Sequence, residues 1–345
     1  MVSSFYMPSH DTMTWLSAVP SFRAIIQSKT AFGLAVLLSI ALAAPAAAQW
    51  PPENTVHIIV PYAAGGWGDV LMRLLAQEVS NKTNHTILVE NRPGGGGVIG
   101  TAAAARLSPD GTTLLLVGSS FIINANLQSL PYDPLTSFVP ICLLARTPMV
   151  FVVNRKSGYQ SLSQFIAAAR APDSQVSVGG TGPNTTQHLA IESLKQVSNT
   201  HLQFVPFGGD PPAVNSLLGG HITAVLGQYA GVKPYLGAAV RPLAVGGHDR
   251  LPELPDVPTF TEAGFAEFDA VAWIGLVLPR NTPERIAKQI AAHFRAALDA
   301  PEVKTKLEAL AIAPVGLCGT DFGAFLHKEQ ERTARIVRAA KMKVD

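Results

Sequence analysis

Residues 56–73, VHIIVPYAAGGWGDVLMR, place an apolar run, a glycine-rich turn and a helical pattern in direct succession. The run Val56–Val60 is mostly β-branched and apolar, which is typical of a strand buried in a parallel sheet. Apolar residues then recur with helical spacing from Asp69 to Ser80. The glycines between them allow main-chain N–H groups to point toward one place at the start of the helix. This order predicts a strand–turn–helix unit of an α/β protein.

The same order repeats along most of the remaining chain. Apolar runs alternate with segments of helical periodicity, which predicts an α/β fold of central, mostly parallel sheets flanked by helices. Toward the C-terminus, Thr282-Pro283-Glu284 marks the start of a long amphipathic helix, and a basic helix is expected from Asp321 to Lys341. The other strand runs are TILVE, TTLLLVG, MVFVVN, QVSVGG, HLQFVPF, ITAVLG, RPLAVG and WIGLVLP.

Length and charge narrow the class of protein. A chain of 345 residues is long enough for two lobes, each with its own core. The formal net charge is only +2 and no long run of like charge occurs, so no nucleic-acid partner is expected. The nine histidines are scattered without metal-ligand spacing, and neither a metal site nor a cofactor is predicted.

The N-terminus predicts a secretory signal peptide over residues 1–48. Residues 31–48, AFGLAVLLSIALAAPAAA, hold an apolar core shorter than the roughly 20 residues of a membrane span. Ala46–Ala48 supply the small side chains of a signal-peptidase site, so cleavage is expected near Ala48, with an uncleaved anchor as the alternative. Export permits a disulfide between Cys142 and Cys318, but the sequence leaves the bonded and the free state open.

Four glycine turns each follow a strand run and precede a helical pattern: Pro61–Asp69, Asn91–Gly100, Gly179–His188 and Phe207–Asp210. A helix amino end carries unpaired N–H donors and a partial positive charge, so such turns can bind an anion without Lys or Arg. In open α/β sheets, ligands lie at the carboxyl ends of the strands, where these turns fall. A single turn of this kind is better explained as a tight strand–helix connection, and it is their repetition in one chain that favours an anion site.

Enzyme motifs are weak or missing. Gly95–Gly100, GGGVIG, matches the dinucleotide pattern, but no acidic residue stands at the end of the next strand run, VGSSF. The chain has no G-x-S-x-G elbow, no H-E-x-x-H and no C-x-x-C. We therefore expect no enzyme, and an exported α/β enzyme with an unrecognised set of residues is kept as an alternative.

Six segments together resemble the extracytoplasmic receptors of tripartite tricarboxylate transporters, known as Bug-type receptors. The resemblance covers nearly all of the chain after residue 48. The segments are IIVPYAAGGWGDVLMR, ENRPGGGGVIGTAAAA, LPYDPLTSFVPI, VPFGGDPPAVNSLLGG, LPELPDVPTFTEAGF and NTPERIAKQIAAHFRAALDAPEVKTKLEALAIAPVG.

The resemblance implies a two-lobed, type II periplasmic-binding-protein-like fold with a ligand cleft between the lobes. Lobe one would hold residues 49–147 and 270–345, lobe two residues 148–269, with crossings near Pro148 and Asp269. It implies a periplasmic monomer that captures a small carboxylate and delivers it to membrane transporter subunits. Di- and tricarboxylates, aromatic acids and amino acids remain open as ligands. A ligand-sensing protein that signals to a membrane partner is the alternative function.

The resemblance, together with the glycine turns, assigns ligand contacts to both lobes. Two departures from the family pattern leave the ligand open: Gly68 stands where relatives often have Ser or Thr, and Gly227 stands where they commonly have Asp. The expected ligand contacts are Tyr62, Gly65, Gly66, Trp67, Asp69, Ser119, Thr181, Gly182, Asn184, Thr185, Thr186, His188, Phe207, Gly208 and Gln228.

Overall fold

The computed structural model describes residues 50–52, 55–266 and 268–342. The signal peptide predicted over residues 1–48, with its cleavage near Ala48, lies outside the described residues. Within the described ranges, no helix is both long and apolar enough to cross a lipid bilayer.

Ten strands and ten α-helices follow one another in the described chain. The strands are β1 Val56–Val60, β2 Ile87–Asn91, β3 Thr113–Gly118, β4 Phe138–Asn154, β5 Ser177–Thr181, β6 Gln203–Phe207, β7 Ala224–Gln228, β8 Val240–Val245, β9 Val271–Pro279 and β10 Ala313–Cys318. The helices are α1 Trp67–Thr83, α2 Val98–Ala104, α3 Ser119–Leu127, α4 Leu162–Ala169, α5 Thr186–Ser198, α6 Asp210–Leu218, α7 Tyr229–Val232, α8 Glu284–Leu298, α9 Pro301–Ala309 and α10 Thr320–Ala340.

The strands form one mixed sheet in the order β2-β1-β3-β9-β4-β7-β5-β6, with β8 and β10 each paired to β4. The outer strands pair in parallel, β1 with β2 and β3, and β5 with β6 and β7. Strands β4 and β9 run antiparallel to each other and to their other neighbours. The predicted α/β class is confirmed. The sheet as a whole is mixed because β9 runs against β3 and β4, and β4 runs against β7 and β8.

Strand β4 belongs to both halves of the sheet. Its residues 138–148 pair with β9, and its residues 149–154 pair with β7 and β8. Buried apolar side chains of β1, β3, α1 and α8 form one core, and those of β5, β7, α4 and α5 form another. The carboxyl ends of β1, β2, β5 and β6 each lead through a glycine turn into a helix, which places the four candidate turns at strand ends, as the sequence predicts.

A disulfide joins Cys142 and Cys318, the pairing that the sequence leaves open. The two residues lie opposite each other in the antiparallel pair of β4 and β10. The bond spans 176 residues of sequence and ties a strand near the C-terminus to the long central strand. It therefore covalently anchors the segment that leads into α10.

Candidate functional site

The first glycine turn is held by the Asp69 carboxylate. Asp69 lies in the first turn of α1 and is 4% exposed. Its Oδ2 accepts hydrogen bonds from the Gly65 N–H at 2.9 Å and from Arg73 Nε at 3.1 Å. Its Oδ1 accepts one from Asn91 Nδ2 at 2.9 Å. Asp69 therefore braces the turn, and the Gly65 N–H is engaged within it.

The same contacts fix the charge of this turn. Burial raises the pKa of Asp69, but hydrogen bonds from Arg73, Gly65 and Asn91 outweigh it, and the pKa lies below its usual value. The carboxylate is thus ionised at neutral pH and neutralises Arg73, whose NH2 nitrogen lies 3.1 Å from Oδ1. Attraction for an anion at this turn therefore has to come from main-chain N–H groups, as the sequence predicts for the glycine turns.

Replacing Asp69 by Ala is expected to lower the free energy of unfolding by about 1–2 kcal/mol, because three donors lose their acceptor. A lowered pKa means that this contribution is complete above the unfolded-state pKa and disappears as the pH falls through the lower folded-state value. Urea denaturation at pH 7 and at acidic pH measures both effects. A variant as stable as the parent at pH 7 would contradict the bracing role.

Tyr62 connects the first turn to the second turn and to the end of β3. Its hydroxyl group shares a hydrogen bond with Ser120 Oγ at 2.8 Å. A Cβ atom added at Gly97 would lie 3.4 Å from Tyr62 Cε1, and one added at Gly118 would lie 3.2 Å from the hydroxyl oxygen. Burial raises the pKa of Tyr62, so the phenol is neutral. The turns that follow β1, β2 and β3 therefore meet around one aromatic ring.

Ser119 begins α3 directly after β3. It is 9% exposed, and its Oγ has no hydrogen-bond partner among the described residues. No side chain caps the amino end of α3, and none caps that of α1. The N–H groups of a first helical turn have no partner inside the helix. The amino end of α3 thus offers N–H donors together with a buried, unpaired hydroxyl group.

The third turn is ordered by two side chains. Thr185 caps α5: its Oγ1 accepts from the His188 N–H at 3.3 Å and donates to the Gly182 carbonyl at 3.1 Å. The Asn184 N–H donates to His188 Nδ1 at 3.1 Å, which places the proton of a neutral imidazole on Nε2. Burial lowers the pKa of His188, and its ring stacks on Phe204 with the ring centroids 4.2 Å apart. His188 is therefore a neutral residue that shapes the turn.

The third and fourth turns lie side by side. Thr181 and Phe207, the last residues of β5 and β6, are parallel partners, and the Gly182 N–H donates to the Phe207 carbonyl at 2.9 Å. Gly208 is exposed, and nothing lies within 4 Å of a Cβ atom added to it. Gly208 therefore faces open space next to the third turn.

Asp210, which is absent from the contacts expected from the sequence, joins the turns of this half. It is the first residue of α6 and is 8% exposed. Its Oδ1 accepts from Gln187 Nε2 at 2.9 Å, and its Oδ2 accepts from the Gln228 N–H at 3.2 Å. A Cβ atom added at Gly227 would lie 3.1 Å from Oδ1. Gly227, at the position where the resemblance implies an Asp, thus has no side chain, and the carboxyl group of Asp210 lies beside it.

Burial is the main cause of the unusual pKa of Asp210. It raises the pKa of this carboxyl group to about 6, against the opposing hydrogen bonds from Gln228 and Gln187. No cation contributes to this shift among the described groups. The only sequence signal for this residue was an acidic side chain directly after the glycine pair of the fourth turn.

Two sets of apolar contacts bring the halves of the sheet together at these turns. Ile123 on α3, Leu189 on α5 and Val337 on α10 form one buried cluster, although α3 and α5 follow strands of different halves. Ile123 and Leu189 each lie about one turn inside their helices, so the amino ends of α3 and α5 are neighbours. Trp67, the first residue of α1, packs against both main cores.

The expected contacts therefore fall into two groups. The first group surrounds the amino ends of α1 and α3, and the second surrounds those of α5 and α6 and the end of β7. The first comprises Tyr62, Gly65, Gly66, Trp67, Asp69 and Ser119, and the second Thr181, Gly182, Asn184, Thr185, Thr186, His188, Phe207, Gly208 and Gln228.

Two further features could mark a site among the described residues: a cavity and a metal-binding cluster. A cavity of about 240 Å³ is lined by residues 128–130 and 132–135 together with Ala125 and Gln330, away from the glycine turns. In the described ranges, no group of three or more His, Cys, Asp or Glu side chains is placed to hold a metal ion.

Comparison with known proteins gives one family. Residues 71–342 match the model of the tripartite tricarboxylate transporter family receptor. The chain is 33% identical over 308 residues to the protein BugT of Bordetella pertussis, covering 88% of this chain and 94% of BugT.

Two solved structures are similar in both sequence and fold. One is MatC from Rhodopseudomonas palustris with bound malate: 29% identity, a TM-score of 0.72, and coverage of 83% of this chain and 99% of that one. The other is an R. palustris protein with adipate: 28% identity, a TM-score of 0.75, and coverage of 86% and 99%. With its periplasmic-binding-protein fold and glycine turns at the amino ends of helices, the chain belongs to the tripartite tricarboxylate transporter family of receptors.

Proposed function

We propose that the protein captures a small carboxylate in the periplasm and delivers it, chemically unchanged, to the membrane subunits of a transporter. The observation that carries this proposal is that helix amino ends from both halves of the sheet approach each other: the uncapped end of α3, and the end of α5, where the Thr185 cap engages only the His188 N–H. Ile123 and Leu189 lie in one buried cluster between these helices, and the unpaired Ser119 hydroxyl lies at the end of α3. Similar receptors hold malate and adipate, which are both carboxylates.

Charge supports an anion held by main-chain groups. Arg73, the basic side chain near the first turn, is paired with Asp69, and His188 is neutral. The donors left over are N–H groups at helix amino ends, which favour a negative charge without a full positive charge. Such hydrogen bonds strengthen as the ligand is removed from water.

The proposed cleft separates lobe one, residues 49–147 and 270–345, from lobe two, residues 148–269. Close main-chain contacts support crossings near Pro148 and Asp269. The Met149 N–H donates to the Ala270 carbonyl at 2.9 Å, and the Gly246 N–H donates to the Met149 carbonyl at 2.8 Å. Ligand binding would favour the closed arrangement of the lobes, by its higher affinity for that arrangement. The proposed mature protein begins after a signal peptide cleaved near Ala48 and acts as a monomer without enzymatic activity.

A thermal-shift screen of the purified protein tests the proposal. Small carboxylates are expected to raise the unfolding temperature, since a ligand at 100 times its Kd stabilises the native state by about 2.7 kcal/mol. Sugars and simple cations serve as controls. Stabilisation by sugars or cations, with none by carboxylates, would refute an anion site.

One pair of variants tests the main-chain donors directly. Thr186 is the first residue of α5 and follows the extended residue Thr185. Thr186→Pro removes its N–H where proline fits a helix, whereas Thr186→Ala keeps the N–H and removes the side chain. We expect the proline variant to lose about tenfold in carboxylate affinity, which one lost hydrogen bond to a charged group would cause, and the alanine variant to lose much less. Equal losses would assign the contact to the side chain.

A further inference from the structure

The Asp210 carboxyl group occupies a position that anion binding alone does not explain. It is buried at the amino end of α6, between the first turn of α5 and the end of β7. Its two hydrogen-bond partners, Gln187 and Gln228, are neutral. Gly227 and Gly231 leave the space that it fills, because a Cβ atom at either position would contact the carboxyl group. A pocket meant only to attract negative charge gains nothing from a carboxylate at this place.

This carboxyl group is close to several expected ligand contacts. Gln187 is the residue between Thr186 and His188, and Gln228 is itself one of the expected contacts. Asp210 also ends the fourth turn, two residues after the open position at Gly208. Asp210 is thus hydrogen-bonded to the expected contact Gln228 and to Gln187, which lies between two further expected contacts.

We propose that Asp210 sets the charge selectivity of the ligand site: as a carboxylate it disfavours a second negative charge on the ligand, so the protein prefers monocarboxylates to dicarboxylates at neutral pH. The first carboxylate of the ligand is held by helix amino ends. A second one, within about 8 Å of Asp210, would meet an uncompensated like charge and lose about tenfold in affinity. The inference rests on the proposed function, because it assumes that a carboxylate binds at the glycine turns.

Proton uptake by Asp210 would relax this selectivity. Its pKa is raised to about 6 by burial, and a nearby second ligand charge would raise it further. His188, Glu192 and Lys195 are the titratable groups on the facing part of α5, and Tyr229 is the one on α7; none of them contributes to the shift of Asp210. Dicarboxylates should therefore gain affinity, relative to monocarboxylates, as the pH falls from 7.5 to 5.5.

The test compares hexanoate with adipate, which differ by one carboxylate, by calorimetric titration of the purified protein at both pH values. Asp210→Asn keeps the shape and can keep both hydrogen bonds, if the Gln187 amide turns over. We expect the variant to shift the affinity ratio at pH 7.5 toward adipate by about tenfold and to show a smaller pH dependence than the parent, since only the contribution of adipate itself remains. The carboxyl groups of adipate titrate in the same way with either protein. The difference in pH dependence between the parent and the variant therefore reports the titration of Asp210. The matched control is Asp173→Asn. It removes an exposed carboxylate that precedes the amino end of β5, whereas Asp210 follows the carboxyl end of β6.

The results of these titrations decide whether Asp210 sets the charge selectivity. An unchanged ratio, or a pH dependence as large in Asp210→Asn as in the parent, overturns the selectivity role even if both affinities fall. Binding of no carboxylate by the parent protein removes the proposed function and this inference with it, and the thermal-shift screen shows that case separately. If the variant does not fold, proton uptake by the parent decides: titrations in two buffers of different ionisation enthalpy should show more protons taken up with adipate than with hexanoate, and equal uptake overturns the proposal.

Discussion

Loss of the Cys142–Cys318 bond is expected to lower the free energy of unfolding by about 4–5 kcal/mol. The bond spans 176 residues, and the loop-entropy model gives about 4.7 kcal/mol for a loop of about 100 residues, with a slow increase beyond that length. Total stabilities of folded proteins are about 5–15 kcal/mol, so the loss would be a large share. Cys142 is fully buried, and its removal also leaves a small cavity.

Urea denaturation of the parent protein, with and without a reducing agent, measures this loss. The double variant Cys142→Ala/Cys318→Ala is the control, because a reducing agent should not change its stability further. The opposed positions of the two residues in β4 and β10 mean that both strands remain paired by main-chain hydrogen bonds after reduction. A parent protein with the same midpoint under oxidising and reducing conditions would contradict a stabilising role of the bond.

Local patterns in the sequence were sufficient for the elements and for the turns. The run Val56–Val60 forms β1, and the helix expected from Asp69 begins at Trp67. The basic helix expected from Asp321 to Lys341 is α10, Thr320–Ala340. These features depend on the periodicity of neighbouring residues and on glycine, both of which can be read along the chain. That is also why the four turns could be found before their arrangement was known.

Contacts between distant residues could not be read in the same way. The antiparallel return of β9 beside β3 and β4 makes the sheet mixed, and the Cys142–Cys318 bond depends on the pairing of β10 with β4. The sequence pointed to glycine N–H groups as donors. The Gly65 N–H, however, is engaged by Asp69, and the Gly182 N–H by a carbonyl of the neighbouring strand. Such competition depends on tertiary geometry, so the donors available to a ligand are the N–H groups of first helical turns that no cap or neighbouring strand engages.

Asp210→Asn is expected to raise the free energy of unfolding by up to about 3 kcal/mol at pH 7.5. In the folded protein burial raises the pKa of this carboxyl group to about 6, from its ordinary value of 3.8. Each unit of difference corresponds to about 1.36 kcal/mol, so keeping Asp210 ionised costs the folded state about 3 kcal/mol. The amide has no charge to bury and can retain both hydrogen bonds, with Gln187 accepting instead of donating.

The dependence on pH separates this effect from a general change in packing. Between pH 3.8 and 6 the folded state holds more protons on Asp210 than the unfolded state, so the stability of the parent falls as the pH rises through this range. The amide variant lacks this slope. The gap between the two proteins should therefore be largest above pH 6, shrink as the pH falls through 6, and vanish near pH 4. Urea titrations across this range, with Asp173→Asn as the control, measure it.

A variant less stable than the parent at pH 7.5 would contradict the destabilising effect assigned to the ionised carboxyl group. If the variant is more stable, Asp210 is a residue that lowers stability and yet lies beside the expected ligand contacts. Burying a charge without a counter-ion is costly, and residues with strongly shifted pKa values are concentrated at functional sites. The stability gain from Asp210→Asn and its effect on dicarboxylate affinity would then have the same physical origin, an uncompensated negative charge at the amino end of α6.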